Sequence, residues 1–465
     1  MTRMARLMAL ASVGVVLLAG TASAESTEER LRRLEEQLRK TEAEIQQLRD
    51  QLQQQRAINQ ATQKQSEQAA EENKAAVAEA KKGVELPDWV RKTTLFGDVR
   101  FRDEGFYHQP VTEAGLKPDP NLRPALATSA TARNRVRIRA RLGVKVTLSD
   151  ELSATVRMAS GDPNNPVSTN ETLTGDFTRK HVNLDWAFLT FTPGKSFGIR
   201  PGVVSITGGK FPNPIFRVGQ LVFDDDLSPE GATQTLSLLD KPVGGLDQVK
   251  VHVLEWTYNE VANGPDGWMF GGQVNPSGHL GNLQVEAGLG QYWWDNPNLI
   301  AQAINTNSSL INTNLLTKNS SGSITGYQSA FNQTNATLSL TWPNVISTQP
   351  LQGFTDYVYN WQAATDDAHG VMGGLKLGQT KVRGDWAVSY YYEWLGQEAA
   401  ISSFTYDDFG FGGTNQEGSV VQLDYQLLNP LTLTARSAFT NYINRPENST
   451  NPTMTRLQLD AQVKF

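Results

Sequence analysis

From Thr93 to the end of the chain, the connections between runs of alternating residues switch between short and long. Few folds can produce that rhythm. Tight turns are expected at Ser149-Asp150-Glu151, 193–198, 240–245, 275–281, 343–350, 378–380 and Asn429-Pro430. Mostly longer connections fall between them, at 107–131, 161–180, 212–230, 296–333, 397–416 and 444–453, with two short members near 263–266 and 365–369. An antiparallel sheet closed on itself, with turns at one rim and loops at the other, gives this order in a transmembrane β-barrel. About sixteen strands fit, an even number that leaves both ends of the barrel on one side of the membrane. The fold class expected is therefore an all-β barrel over residues 93–465.

The strands carry the matching polarity. Leu95, Val99 and Phe101 alternate with Asp98, Arg100 and Arg102. Trp386, Val388, Tyr390, Tyr392 and Trp394 lie opposite Asp385, Ser389 and Glu393, and Val421, Leu423, Tyr425 and Leu427 opposite Gln422, Asp424 and Gln426. Side chains alternate with period two, so one face is apolar and meets lipid while the other is polar and meets water. A sandwich would bury the same apolar face, but would need no aromatic residues near strand ends, where membrane interfaces would lie. The last strand, Met454 to Phe465, places Leu457, Leu459, Ala461, Val463 and Phe465 on one face. Its terminal aromatic is similar to the signal read by the bacterial barrel-assembly machinery. That makes Phe465 the expected assembly signal and the machinery an expected partner during biogenesis.

The N-terminal part is organised differently. Arg3 and Arg6 precede an apolar run, Leu7 to Gly20, and Ala22-Ser23-Ala24 supplies a small-residue cleavage site. Residues 1–24 thus read as a secretory signal peptide. No later stretch approaches the ~20 apolar residues of a spanning helix, and the absence of cysteine removes disulfides and thiolate metal sites. Residues 25–82 lack Gly, Pro and aromatic residues. Leu31, Leu34, Leu38, Ile45, Leu48 and Leu52 there fall on heptad seam positions, which predicts an α-helical coiled coil, a periplasmic stalk. Residues 83–92 form a linker to the barrel.

The lumen is most legible in the second strand. Arg133, Arg135, Arg137, Arg139 and Arg141 occupy every second position, with Val136, Ile138, Ala140 and Leu142 between them. At ~3.4 Å per residue this ladder runs about 27 Å, and facing lipid each arginine would cost roughly 2–4 kcal/mol at the midplane. The ladder is therefore expected to line water, with Arg100 and Arg102 on the same wall. It either concentrates and orients polar solutes or braces the wall through carboxylate partners. The third long connection carries Asp224, Asp225, Asp226 and Glu230 among Pro212, Pro214 and Pro229. A likeness to porins, whose third outer loop folds into the barrel, implies that these acids form a constriction facing the arginines. The remaining inward residues read as Asp, Gln, Ser and Gly, which suits an open, wet lumen. The Asn-, Ser- and Thr-rich stretch 304–337 reads as a mobile external loop.

Arg133 to Gly143, Leu152 to Gly161, Gly209 to Pro214 and Asp224 to Gly231 together resemble the bacterial "putative porin" family. The resemblance covers most of residues 90–465. It implies a passive diffusion channel, a general-porin-like barrel in the outer membrane and a homotrimer. It does not imply a substrate.

Other functions find little support. The five histidines are scattered and never at metal-ligand spacing, so neither a metal nor a cofactor is expected. No phosphate-binding glycine loop occurs, and the only catalytic pairing left open is His252 with a residue across strands. A net charge of −6 on an exported chain excludes nucleic acid as a partner. The rival to a channel is structural: the barrel as a lipid-embedded anchor and the stalk as a tether to peptidoglycan or the inner envelope.

Overall fold

The computed structural model describes residues 88–108, 132–445 and 452–465, together with Arg39 and Gln46, which are helical. The signal peptide and all but those two residues of the expected coiled coil lie outside the described residues. A single helical turn, α1 (Asp88–Arg91), leads directly into the first strand.

Sixteen antiparallel strands close into a barrel. In chain order the first eight are β1 (Thr93–Tyr107), β2 (Arg133–Thr147), β3 (Leu152–Ser160), β4 (Val182–Phe191), β5 (Val204–Lys210), β6 (Glu230–Ser237), β7 (Leu246–Asn259) and β8 (Gly267–Leu280). The rest are β9 (Leu283–Asp295), β10 (Asn332–Ile346), β11 (Gln349–Asn360), β12 (His369–Gly378), β13 (Trp386–Leu395), β14 (Gln416–Leu428), β15 (Leu431–Tyr442) and β16 (Met454–Lys464). Each strand pairs with its sequence neighbours, and β1 closes the ring on β16 through a register running from Asp98↔Lys464 to Tyr107↔Thr455. A two-residue segment, Glu171–Thr172, pairs with Arg137 and Ile138 of β2, above the end of the shorter β3.

Phe465 reinforces the closing seam. Its backbone N–H donates to the Gly97 carbonyl at 3.1 Å and its carbonyl accepts from the Gly97 N–H at 2.9 Å. Its ring occupies the space that a Cβ at Gly97 would need.

Polarity is inside-out, as the alternation requires. Leu95, Val99 and Phe101 of β1, Val421, Leu423 and Tyr425 of β14, and Leu459 and Val463 of β16 are exposed on the outer wall. Apolar exposure on this scale suits hydrocarbon, not water. On the outer surface Phe270 stacks between Trp268 and Trp293, at 5.9 Å from each, close to the loop ends of β8 and β9. This is the aromatic placement expected at a membrane interface.

The interior differs from the wet, polar lumen read from sequence. Leu254, Trp256, Met269, Tyr292 and Trp294 of β7–β9, with Val358, Met372 and Leu395 of β11–β13, face inward and are buried. Three long loops pack onto them: loop 3 (211–229), loop 5 (296–331) and loop 7 (396–415). Loop 5 is not a mobile external segment. It holds a short helix, α2 (Asn298–Ala303), and a small hairpin of Leu316–Lys318 with Ile324–Tyr327. The Asn314 side-chain amide donates to the Gln397 and Ala400 carbonyls of loop 7, at 2.7 and 2.9 Å. Residues 332–337, read as part of that loop, belong to β10.

Loop 3 leaves the wall where Gly209 and Gly231 pair across β5 and β6 with φ of 129° and 126°. A side chain there would be strained and would strike the Ala187 and Glu255 carbonyls.

Candidate functional site: a basic wall clasped by two acidic loops

Strands β15, β16, β1 and β2 are neighbours, and their inward residues build one continuous charged wall. Across β1 and β2 the register sets Asp98 beside Arg141, Arg100 beside Arg139, Arg102 beside Arg137 and Glu104 beside Arg135. On the other flank Arg102 faces Asp460 and Glu104 faces Gln458. Alternation alone puts all of these side chains on one face.

Almost every arginine on this wall is paired. Asp98 accepts from Arg139 Nε at 2.9 Å and from Arg141 Nε at 2.7 Å. Arg102 donates to Asp460 at 2.7 and 2.8 Å and to Asp408 at 2.5 Å. Glu104 is fully buried and accepts from Arg135, from Gln458 at 2.7 Å and from Arg456 at 2.5 and 2.9 Å. Arg100 and Arg137 are the least compensated. Arg100 donates to Asn170 of loop 2 (161–181) at 2.5 Å, and Arg137 reaches the Asn170 carbonyl and Ser168 Oγ at 3.3 Å. Buried charge is tolerated when paired and hydrogen-bonded in this way. Arg133 stands apart, exposed at the loop end of β2.

Two loops supply the facing acids. Asp226 of loop 3 meets Arg141 at 3.0 Å and Arg139 at 3.8 Å. Burial works against its ionisation, yet the two arginines hold it below the usual carboxylate range. Asp408 of loop 7 sits 2.5 Å from Arg102 and 2.6 Å from Arg456. Despite burial, these guanidiniums hold it well below the ordinary value.

The other acids of loop 3 do different things. Asp224 touches no arginine of the wall. It accepts from the Asp226 N–H at 2.7 Å and the Asp407 N–H at 3.0 Å, while its own N–H donates to the Phe404 carbonyl at 2.8 Å. It therefore fastens loop 3 to loop 7. Burial raises its carboxyl well above the usual range, and Asp407 and Asp226 add to this. Asp407 is likewise pushed up to about 7, by burial first and then by Asp408. Asp225 is exposed and pairs with Arg217 at 3.1 Å. Glu230 opens β6 and pairs with Lys210 at 2.8 Å, away from the arginines. The Asp triplet thus diverges, and the structure does not bring Glu230 to the constriction.

Sequence reading missed Arg436, Asp407 and Asp408, and it placed Arg456 on the lumen-facing side of the last strand without giving it a role. Arg436 donates to the Asp408 carbonyl at 2.9 Å, to Gln458 at 3.0 Å and to the Tyr391 hydroxyl at 3.0 Å. Arg456 also donates to the Asp407 carbonyl at 2.7 Å. Their signal was the same alternation that revealed β2, but each is a single arginine on its strand. His252, left open as a catalytic partner, contacts Thr235 Oγ1 through Nδ1 at 2.9 Å.

Loops 3 and 7 divide the interior. Toward the turn end lies a cavity of about 300 Å³ lined by Arg100, Arg139, Asp226, Asp408 and Asp460. A second, of about 360 Å³, is lined by Arg217, Lys376, Glu393 and Arg436. Toward the loop end a cavity of about 380 Å³ lies among loops 2, 3 and 5.

A family model and several solved outer-membrane proteins are similar to this chain. Residues 18–352 and 355–465 match the family model described as "Putative porin". Among solved structures, OprB of Pseudomonas putida aligns over 81% of this chain and 96% of its own, at 11% identity and a TM-score of 0.49. OmpF of Salmonella typhi, solved with daunomycin, aligns over 82% of this chain and 100% of its own, at 10% identity and a TM-score of 0.46. DcaP, an outer-membrane channel of Acinetobacter baumannii, covers 80% of this chain and 97% of its own, at 9% identity and a TM-score of 0.42. Curated protein sequences give no match. With its closed barrel and a family match along nearly its whole length, this chain belongs to the putative porin family of outer-membrane channels.

Proposed function

We propose that the chain is a passive diffusion channel for small hydrophilic solutes, and that the basic wall and the acids of loops 3 and 7 form its selectivity region. The observation that carries this reading is the pairing of Arg139 and Arg141 with Asp226, and of Arg102 and Arg456 with Asp408, inside a lipid-facing barrel. Fixed charges of opposite sign across a narrow, low-dielectric passage create a transverse field, which orients dipolar solutes and disfavours apolar ones. Guanidiniums outnumber carboxylates on the wall, which supports a preference for anions. Because most of the arginines are paired, that preference is modest. The working unit in this reading is a homotrimer, from the family likeness and the heptads, and residues 25–82 are a periplasmic coiled-coil stalk, from the heptads alone.

Planar-bilayer conductance under a KCl gradient tests this. Wild-type protein is expected to conduct in steps grouped by threes with a mild anion preference. Changing Arg135, Arg137 and Arg139 together to Ala should move the reversal potential toward cations. Conductance whose selectivity ignores the substitutions would remove the wall from the permeation path. Folded protein that does not conduct would overturn the channel reading and leave a structural anchor.

A further inference from the structure

A smaller cavity, of about 150 Å³, lies above loop 3 near the outer mouth. Its lining includes Phe223, Trp256, Tyr258, Met269, Trp294 and Phe404, drawn from loop 3, β7, β8, β9 and loop 7. The rings frame it in two ways: Phe223 meets Trp256 edge-on at 5.6 Å, and Trp294 stacks on Phe404 at 5.4 Å. Loops 3 and 7 cover this apolar inner face without filling it, and the space left is the size of a single ring. A dry apolar cavity of about 150 Å³ is enough to bind benzene.

Two further observations narrow the occupant. Trp256 is 4% exposed, and its Nε1–H is buried with no acceptor among the described residues. A buried donor without a partner is costly, and a ligand oxygen would relieve that cost. The mouth, shared with the larger outer cavity, offers no spare cation among the described residues. Lys210 there is held by Glu230 at 2.8 Å and by the Ser228 carbonyl at 3.2 Å, and Glu230 and Asp226 flank the opening.

We infer that this cavity is a binding site for a neutral, single-ring aromatic molecule carrying a hydrogen-bond acceptor, with Trp256 as the donor to it. Edge-to-face contacts favour an aromatic ring over a saturated one, and the Met269 thioether adapts to either. A site at the outer mouth would load such solutes ahead of the constriction. That use rests on the channel reading; binding itself does not.

The test is calorimetric titration of detergent-folded protein with benzamide, run beside conductance on the same preparation. Wild type should bind benzamide, with cyclohexanecarboxamide and benzoate each weaker by about fivefold, the scale of one edge-to-face or hydrogen-bond contact. Trp256→Phe keeps a ring but removes the donor and should weaken benzamide by about fivefold. Trp342→Phe, on the lipid-facing wall, should change nothing. Equal binding to wild type and Trp256→Phe, equal binding of the saturated analogue, or tighter binding of benzoate would overturn the assignment, as would no binding at all. Binding without conductance would sink the channel reading alone.

Discussion

The two sides of the barrel interior are held by different physics. On β15, β16, β1 and β2 the inward residues are charged, and loops reach them through ion pairs and charge-assisted hydrogen bonds. On β7–β9 and β11–β13 they are aromatic or aliphatic, and the same loops reach them through apolar packing. Loop 3 spans both: Phe223 is sunk into the apolar side, while Asp226, three residues on, is fixed to the arginines. Apolar burial is strong but non-directional, whereas paired guanidinium and carboxylate fix orientation. The apolar side anchors the constriction and the charged side aims it.

The largest effect should come from breaking the charged side at its most buried point. Arg456→Ala leaves Glu104, which is fully buried, and Asp408 without a principal partner. Removing one partner of a buried pair costs about 3–5 kcal/mol. Phe223→Ala on the opposite side creates a cavity and should cost about 3 kcal/mol. Urea unfolding of both variants in detergent measures these losses. Selectivity separates them: Arg456→Ala should shift the reversal potential, and Phe223→Ala should raise current noise with little shift. If both shift it equally, the division of labour between the two sides fails.

A second test uses pH. Asp407 and Asp224 join loop 7 to loop 3, and burial favours the neutral form of both. Asp407 is surrounded by Asp408 on its own loop, Asp224 and Asp226 of loop 3, Arg456 of β16 and Arg137 of β2. Its carboxyl is pushed up from an ordinary value of 3.8 to about 7. Between these values the folded protein holds a proton that the unfolded chain has lost, so stability falls as pH rises through the window. Asp408 and Asp226 have the opposite sign, and their contribution is lost only in acid. The junction of the loops is therefore expected to loosen as pH rises from about 4 to about 7, seen as faster current fluctuations across that window. Asp407→Asn should flatten that profile; an unchanged profile would assign the pH response elsewhere.

These contrasts also explain what the sequence could reveal. The barrel was legible because each strand repeats a period-two signal, and the ladder because five arginines share one strand. Inward folding of loop 3 was expected from its place as the third long connection of a porin-like barrel, and its prolines and acids only marked what it carries there. The apolar inner side was not, although a trace of it exists. In β7, Val253 faces lipid while Leu254 and Trp256 face inward, and in β9 Trp293 is outside and Trp294 inside. A strand apolar on both faces is covered on both faces, and that pattern marks where loops enter a barrel. Asp407 and Asp408 carried no comparable signal. An acidic pair in a long loop gains meaning only once closure brings residues 104 and 456 together, a non-local fact that no window of sequence contains.

The smallest expected effect belongs to Glu230, grouped by sequence with the constriction acids. It stands at the rim with its side chain 57% exposed, paired with a Lys210 that is itself 34% exposed. Two long side chains in water gain little from pairing, roughly 0–1 kcal/mol, and the pair is screened by salt. Glu230→Gln should leave the unfolding free energy measured in urea within about 0.5 kcal/mol of wild type and the reversal potential unchanged. Asp226→Asn, four residues earlier and seated on Arg139 and Arg141, should move both. Should the two variants behave alike, the charged side of the lumen would extend to the rim, and the contrast between a structured wall and a solvated mouth would have to be redrawn.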